Sequence, residues 1–327
     1  MAAAAQDRPS FEALIAGSLD AGGLRALADR IGTAHEAAPL ADPRPFRMRL
    51  EALATTAAQR AELTRLADHI ERRGDAGRVR ALSDGPADVL FDLALPLLET
   101  LRAGMPLEAN LLANRYLDVL PQGATGWALL PLYLALQAGA EGDALLESAP
   151  PRLVVIAGLS GTGKSLLAGL IGHRIGRVPG ARVLRSDVFR KRVMGLPPET
   201  RLPPRHYTPQ SDEETYEALF ESADDHLACA SSVILDGTFL RRSERDVVEA
   251  IALRNRVPFT GIWLEAPERE RIARVEARSG DASDATAAVV RAQSRLNVGE
   301  IHWHRIRTNR PQPLIVAAAR AALDRVR

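Results

Sequence analysis

The sequence predicts an α/β fold with a three-layer parallel sheet in its C-terminal half, preceded by an all-α N-terminal domain. From residue 151 onward, short apolar β-branched runs alternate with helical segments, which is typical of a parallel sheet covered by helices on both faces. Before residue 148, apolar residues recur every three or four positions, as in amphipathic helices. We therefore place the domains at residues 1–148 and 151–327, separated by a Pro-Pro pair that ends any helix.

The N-terminal half is predicted to be helical throughout, because it shows no strand-like alternation of apolar and polar residues. The helical spacing is found in residues 11–19, 24–31, 63–70, 89–98 and 129–136. The breaks between these segments fall at glycines and prolines, around positions 22–23, 39–45, 85–86 and 123.

The C-terminal half is predicted to contain five strands, at residues 153–157, 181–185, 232–235, 259–264 and 303–307. A helix is expected at 166–175, and others begin at a capping box of Ser211 and Glu214, at Ser243 as an N-cap, and with Pro267 in a first turn. Parallel sheets of this kind bind ligands at the carboxyl ends of their strands. The residues that follow each strand are therefore the candidate site.

The first strand leads into residues 158–165, which read G-x-x-x-x-G-K-S, the phosphate-binding P-loop, and a helix follows. Glycines allow backbone N–H groups to turn towards phosphate oxygens, and the helix N-terminus adds partial positive charge. Lys164 is expected to reach the β- and γ-phosphates and the Ser165 hydroxyl to ligate Mg²⁺, so ATP and Mg²⁺ are the expected cofactors. The expected nucleotide-binding residues are Gly158, Ser160, Gly161, Thr162, Gly163, Lys164 and Ser165.

The composition sets bounds on the function. Of 42 Lys plus Arg residues only Lys164 and Lys191 are lysines, so a chain that otherwise uses arginine keeps a compact ammonium in the P-loop. The net charge of +1 gives no overall field for nucleic acid or membrane binding, and the single cysteine, Cys229, excludes an intrachain disulfide. With no signal peptide and no apolar run long enough to cross a bilayer, we expect a cytoplasmic protein that binds no membrane.

Two carboxylates follow strands at the predicted ligand edge. Asp187, after the second strand, is placed to accept a proton from an attacking hydroxyl, and Arg190, one turn later, to hold the acceptor. The alternative is that Asp187 only caps a helix and that Arg190 and Lys191 are solvated. Asp236 follows an apolar run as in a Walker B motif and is expected to bind Mg²⁺ through water or to contact the acceptor, unless it is merely a turn aspartate.

After the fourth strand, Arg274 and Arg278 lie one helical turn apart, before a glycine-containing loop at 280–283 that would act as a hinge. An arginine on a closing lid would neutralise charge that develops on a transferred phosphoryl group. The alternative is a solvated surface on which neighbouring glutamates pair these arginines. His206 and Tyr207, in a proline-rich segment, either touch the acceptor or belong to a stiff connecting loop.

The motifs fall at residues 158–165, 186–192, 236–239, 263–267 and 274–284. In this order they resemble those of P-loop kinases related to phage polynucleotide 5′-kinase, zeta-toxin kinases and chloramphenicol phosphotransferase. The resemblance covers residues 152 to about 325 and implies an adenylate-kinase-like P-loop NTPase fold. It also implies that Asp187 is the general base, that Arg190 binds the acceptor side, and that Arg274 and Arg278 contact the phosphates from a lid.

The N-terminal half resembles the late helices of aminoglycoside-phosphotransferase-like domains, which often precede kinases of this group, at residues 113–118 and 129–133. That family's His-x-Asp catalytic loop, its metal-binding Asp and its nucleotide-binding lysine are missing, since no lysine precedes Lys164. Residues 1–148 therefore resemble a shortened, non-catalytic remnant that would dock on the kinase domain, shape the acceptor site or mediate assembly.

The combined prediction is an ATP- and Mg²⁺-dependent phosphotransferase that acts on a hydroxyl. A small-molecule acceptor is favoured over a nucleic-acid 5′ end, because aromatics make up only 4% of the chain and no extended basic patch with interleaved aromatics is present. The alternative from another class is a nucleotide-dependent switch or assembly protein with slow hydrolysis, which would not need Asp187. A protein that binds ATP only for stability is a third alternative.

Overall fold

The structure is a computed structural model that describes residues 14, 17, 20–277 and 282–325. Contacts divide the chain into two compact units. Unit 1 comprises Met1–Ala149 with Gly176–Gly180, and unit 2 comprises Pro150–Ile175 with Ala181–Arg327. Among the described helices, none combines the length and the apolar character needed to span a membrane.

Unit 1 is helical apart from one β-hairpin. In chain order its elements are α1 (Ala21–Ala37), α2 (Pro43–Leu53), α3 (Ala57–Arg65), α4 (Ala67–Asp75), β1 (Val79–Leu82), β2 (Gly85–Asp88), α5 (Val89–Arg102), α6 (Pro106–Val119), α7 (Gly123–Ala138) and a 3₁₀ helix (Gly139–Leu146). β1 and β2 pair antiparallel. The prediction of helix throughout was wrong at this hairpin, because strands of four residues are too short to display an alternation and Gly85 was interpreted as a helix break.

The core of unit 1 contains an aromatic cluster beside a buried ion pair. The rings of Phe46, Phe91 and Tyr133 contact one another edge to face, with centroids 5.3, 5.5 and 6.1 Å apart. Arg73 donates to the two carboxylate oxygens of Asp88 at 2.6 and 2.7 Å, and both side chains are buried. Asp88 also caps α5, so the ion pair joins α4 to the hairpin and to α5.

Unit 2 confirms the predicted α/β class, and each of the five predicted strands is found within one residue of its expected bounds. The strands are β3 (Leu153–Gly158), β4 (Arg182–Arg185), β5 (Val233–Asp236), β6 (Phe259–Glu265) and β7 (His304–Arg307). The helices are α8 (Lys164–Gly172), α9 (Ser186–Val193), a 3₁₀ turn (Pro204–His206), α10 (Pro209–Ala228), α11 (Arg242–Asn255), α12 (Glu268–Glu276), α13 (Ala287–Ser294) and α14 (Gln312–Asp324).

The sheet is parallel with the strand order β4-β5-β3-β6-β7. Alternate residues of the central strand face opposite sides: Leu153 and Val155 pack with α10 and α11, whereas Val154 and Ile156 pack with α8 and α14. Burial on both sides explains why the strands are continuously apolar and makes the unit three-layered. The carboxyl ends of β3, β4 and β5 consequently lie side by side at one edge of the sheet.

The predicted helix starts were less accurate than the strands. Thr208, not Ser211, caps α10, since its hydroxyl accepts the Ser211 N–H at 3.1 Å. Ser243 lies inside α11, whose capping side chain is Glu244. Pro267 immediately precedes α12 rather than occupying its first turn. A side chain that could cap a helix occurs at several neighbouring positions, and only the backbone geometry selects one of them.

Candidate active site

The P-loop connects β3 to α8 through a backbone that only glycine adopts freely. Gly158, Gly161 and Gly163 have φ angles of 137°, 83° and 91°. A Cβ on Gly158 would lie 2.5 Å from the carbonyl oxygen of Leu264, and one on Gly161 would lie 2.5 Å from that of Arg271. The loop therefore passes so close to β6 and α12 that no side chain fits at either position.

The loop forms one wall of a cavity of about 990 Å³, a size within the range of known ligand sites. Two of the predicted nucleotide-binding residues, Gly158 and Thr162, shape the loop instead of lining this cavity. The Thr162 hydroxyl donates to the carbonyl oxygen of Leu159 at 2.8 Å, and Lys164 Nζ donates to the same oxygen at 3.2 Å. The predicted residues that line the cavity are Ser160, Gly161, Gly163, Lys164 and Ser165.

The ends of β4 and β5 bring a cation, Arg185, and a carboxylate, Asp236, next to the P-loop. Asp236 ends β5, is 4% exposed, and interacts with the Ser165 hydroxyl. Arg185 ends β4 and contacts both, with Nε 3.4 Å from the Asp236 carboxylate and its terminal nitrogen 3.3 Å from Ser165 Oγ. Burial raises the pKa of Asp236 above its ordinary value, and the charges of Arg185 and Lys164 oppose this rise. Arg185 is not among the predicted site residues, although it lies at a strand end on the predicted ligand edge.

Ser165 and Asp236 suit Mg²⁺ as a donor set. Both offer hard oxygen ligands, and Mg²⁺ commonly takes only one or two ligands from the protein, with waters and substrate phosphates completing its shell. Within the described ranges, no group of three or more His, Cys, Asp or Glu side chains is arranged to hold a metal by itself. A metal at this place would therefore depend on the phosphates of a bound nucleotide.

Asp187 and Arg190 lie on α9 and both line the cavity. In the part of the chain that the structure describes, the Asp187 carboxylate accepts no hydrogen bond and forms no ion pair. Arg190 is 7% exposed and donates to Ser211 Oγ at 3.0 Å and to Asp212 at 2.6 Å. Its guanidinium also lies over the Tyr207 ring, 4.8 Å from the centroid. Arg190 is thus a fixed part of the cavity wall and not a solvated side chain.

The predicted lid arginines are placed differently. Arg274 lies on α12, where it donates to the carbonyl oxygens of Thr308 at 2.7 Å and Gly161 at 3.4 Å and pairs with Glu270 at 3.4 Å. It therefore touches the P-loop without lining the cavity, and its contact with phosphates stays a prediction. Arg278 and part of the expected hinge fall outside the described residues.

Several cavity residues belong to no motif that the sequence analysis used. Gln293, on α13, accepts a hydrogen bond from the Ser160 N–H of the P-loop at 2.8 Å. Glu244, on α11, also lines the cavity, and burial raises the pKa of its carboxyl above the ordinary value. The Tyr216 hydroxyl lies 3.2 Å from that of Thr238. Gln293, Glu244 and Tyr216 come from helices whose local sequence carries no feature that predicts a ligand contact, whereas Thr238 belongs to the motif at 236–239.

Comparison with known proteins places a family match on the same region. A model of the AAA domain family matches residues 153–296. Uncharacterized proteins of Mycobacterium tuberculosis and Mycobacterium bovis are 29% identical over 178 residues, which is 53% of this chain and 35% of each relative. The chain thus spans about a third of the length of the curated relatives it matches.

Among solved structures, similar chains include a gluconokinase from Sinorhizobium meliloti, with 21% identity, 54% of this chain and 93% of that chain covered, and a TM-score of 0.40. A sugar kinase from Janibacter has 22% identity, covers 54% of this chain and 95% of its own, and has a TM-score of 0.41. The APS kinase of Mycobacterium tuberculosis has 16% identity, coverages of 54% and 96%, and a TM-score of 0.35. Similarities this weak do not assign a substrate to this chain. The P-loop and the parallel sheet of unit 2 follow from the geometry of that unit itself. By comparison, residues 153–296 are similar to an AAA domain.

Proposed function

We propose that unit 2 is an ATP- and Mg²⁺-dependent phosphotransferase whose acceptor is a hydroxyl group, with a small molecule favoured over a nucleic-acid 5′ end. The observation that carries the proposal is the position of Asp187, which lines the same cavity as Lys164 and Ser165 and has no ion-pair partner among the described residues. A protein that only binds a nucleotide needs no carboxylate beside the phosphates, whereas transfer to a hydroxyl needs a base at the acceptor.

In this proposal the P-loop amides and Lys164 hold the phosphates of the nucleotide. Ser165 and Asp236 would hold Mg²⁺, which supplies charge neutralisation at the phosphate oxygens when it is bound. Asp187 accepts the proton of the acceptor hydroxyl while the acceptor oxygen bonds to the γ-phosphorus and the bond to the ADP oxygen breaks. Arg190, fixed by its ion pair, forms the acceptor wall beside the base.

We assign no part in the reaction to residues 1–148. The sequence there contains no lysine and no His-x-Asp run, which a second phosphotransferase site of the aminoglycoside-phosphotransferase type would need. The reaction is therefore attributed to residues of unit 2 alone.

The test is transfer of the γ-phosphoryl group from labelled ATP to a pooled acceptor panel of 5′-hydroxyl oligonucleotides, nucleosides, sugars and aminoglycosides. Lys164→Ala serves as the blank, and hydrolysis in water alone is the reference rate. We expect the wild type to label at least one acceptor that the blank leaves unlabelled. Nucleotide binding with no transfer beyond hydrolysis would contradict the proposal and favour a nucleotide-dependent switch.

A further inference from the structure

Lys191, the second of the two lysines in the chain, is completely buried, and the reaction proposed above does not use it. Its Nζ donates to the Asp284 carboxylate at 2.6 Å and to the carbonyl oxygen of Ala282 at 2.5 Å. A guanidinium at this enclosed position would bring five N–H donors that all need partners, whereas an ammonium is compact and has three.

Asp284 also accepts hydrogen bonds from a second segment, the one that contains Leu202 and Tyr207. The Tyr207 hydroxyl donates to the same carboxylate oxygen at 2.5 Å, and the Leu202 N–H does so at 3.3 Å. Arg201 lies 3.6 Å from the other oxygen. Burial alone would raise the pKa of Asp284, but the hydrogen bonds from Lys191 and Tyr207 lower it below its ordinary value. The carboxylate is therefore ionised, and it ties α9 to two loops that line the cavity.

These contacts reach the acceptor side of the site through α9 and Tyr207. Lys191 lies one helical turn after Asp187 on α9, so whatever fixes Lys191 also fixes the helix that carries the base. Tyr207 is fixed by Asp284 through its hydroxyl and supports Arg190 with its ring. Tyr207 and Asp187 line the same cavity, and burial and the Asp284 contact raise the pKa of Tyr207.

We infer that Lys191 and Asp284 are positioning residues for the acceptor. The ion pair between them holds Tyr207 and Arg190 at a fixed position relative to Asp187. The inference rests on the proposed function, because it assigns an acceptor wall to that site. The P-loop half of the cavity then binds the nucleotide without this ion pair, whereas binding of the acceptor in the other half depends on it.

The test uses the full chain, with Asp284→Asn, Lys191→Met and Tyr207→Phe as variants. For each we would measure kcat and KM for the acceptor found in the panel, and the Kd of a fluorescent ATP analogue. We expect KM for the acceptor to rise at least about tenfold in Asp284→Asn and Lys191→Met, as for the loss of a hydrogen bond to a charged group, and less in Tyr207→Phe. The Kd of the ATP analogue should stay within about twofold, since no nucleotide contact changes.

A structural readout that needs no acceptor accompanies the kinetics. In Asp284→Asn, hydrogen exchange should accelerate in the peptide that contains the Leu202 N–H, because its acceptor is weakened, and should be unchanged in the P-loop peptide. The control is Asp88→Asn, which breaks a buried ion pair of unit 1 and should lower the melting temperature without changing the acceptor KM.

The outcomes separate the two ideas. If the wild type labels no acceptor, the proposed function is overturned, and the positioning role is overturned with it. If the wild type labels an acceptor but Asp284→Asn and Tyr207→Phe keep its KM, or lose nucleotide affinity to the same extent, only the positioning role is overturned. Since Tyr207 is 40% exposed and its variant removes a single hydroxyl, Tyr207→Phe keeps the test decisive even if the variants with a broken ion pair fold poorly.

Discussion

Replacement of Asp187 by Asn tests the base without disturbing the fold. The amide has the size of the carboxylate, and among the described residues the carboxylate has no hydrogen bond or ion pair to lose. Substitutions away from packed or paired groups usually change stability by about 0.5 kcal/mol or less, so we expect the free energy of unfolding of Asp187→Asn to stay within that margin.

The rate of transfer should fall much further. General-base catalysis contributes about 10²–10⁴-fold, and an amide does not accept the proton of an attacking hydroxyl. At about 1.4 kcal/mol for each tenfold, kcat should fall by an amount equal to roughly 3–5 kcal/mol of activation free energy. The Kd of a fluorescent ATP analogue should change by no more than about twofold, because the P-loop residues that hold the phosphates are untouched.

The assay compares single-turnover transfer from labelled ATP by the wild type, Asp187→Asn and a matched control, Asp212→Asn. The control removes a different cavity carboxylate, one that is paired with Arg190 at 2.6 Å, and should mainly raise the KM of the acceptor. Unchanged transfer by Asp187→Asn would refute the assignment of the base. Loss of nucleotide affinity in the same variant would refute the division of the cavity into a phosphate side and an acceptor side.

Three further perturbations test other parts of the reasoning. Gly161→Ala should weaken binding of the ATP analogue by about tenfold or more in fluorescence titrations, because its Cβ would lie 2.5 Å from a carbonyl oxygen. The control Gly195→Ala, also at positive φ but with open space around it, should bind the analogue normally. Equal effects of the two substitutions would contradict the steric argument. Burial lowers the pKa of His226 to about 4 from 6.5, so the unfolded chain binds the extra proton between these values, and the free energy of unfolding should fall by up to about 3 kcal/mol as the pH drops through this window. In urea titrations, the free energy of unfolding of His226→Gln should lack this fall with pH. A pH dependence equal to that of the wild type would contradict the prediction. Asp88→Asn leaves the Arg73 charge buried and should cost roughly 3–5 kcal/mol in calorimetry, whereas a loss below about 1 kcal/mol would show that the ion pair is dispensable.

The residues that could be predicted from the sequence are those whose role is set by local pattern. The P-loop is contiguous, and its strand, glycines and helix are read from a single segment at 153–175. Asp187 and Asp236 follow strands, and parallel strands deliver the residues after them to one edge of the sheet. Position in a regular element was enough to find both of them.

The remaining contacts depend on parts of the chain that are far apart in sequence. Gln293 and Ser160 are separated by 133 residues, and Lys191 and Asp284 by 93. Which side chains meet across such separations is decided by how helices and loops pack on the sheet, and no period or motif encodes it. The same applies to Arg274, whose contact with Thr308 rather than with the cavity depends on where the loop after β7 lies.

The small number of lysines in the chain concerns residues outside the local motifs as well. A surface position accepts arginine in place of lysine easily, because the additional donors face water, while an enclosed position accepts it only if five donors find partners. Of the two lysines among 42 basic residues, Lys164 lines the cavity, and Lys191 is paired with Asp284, a residue that lines it. Lys164 is the cation of the phosphate side, and Lys191 is the buried cation behind the acceptor side. The two lysines of the chain therefore belong one to each half of the proposed site.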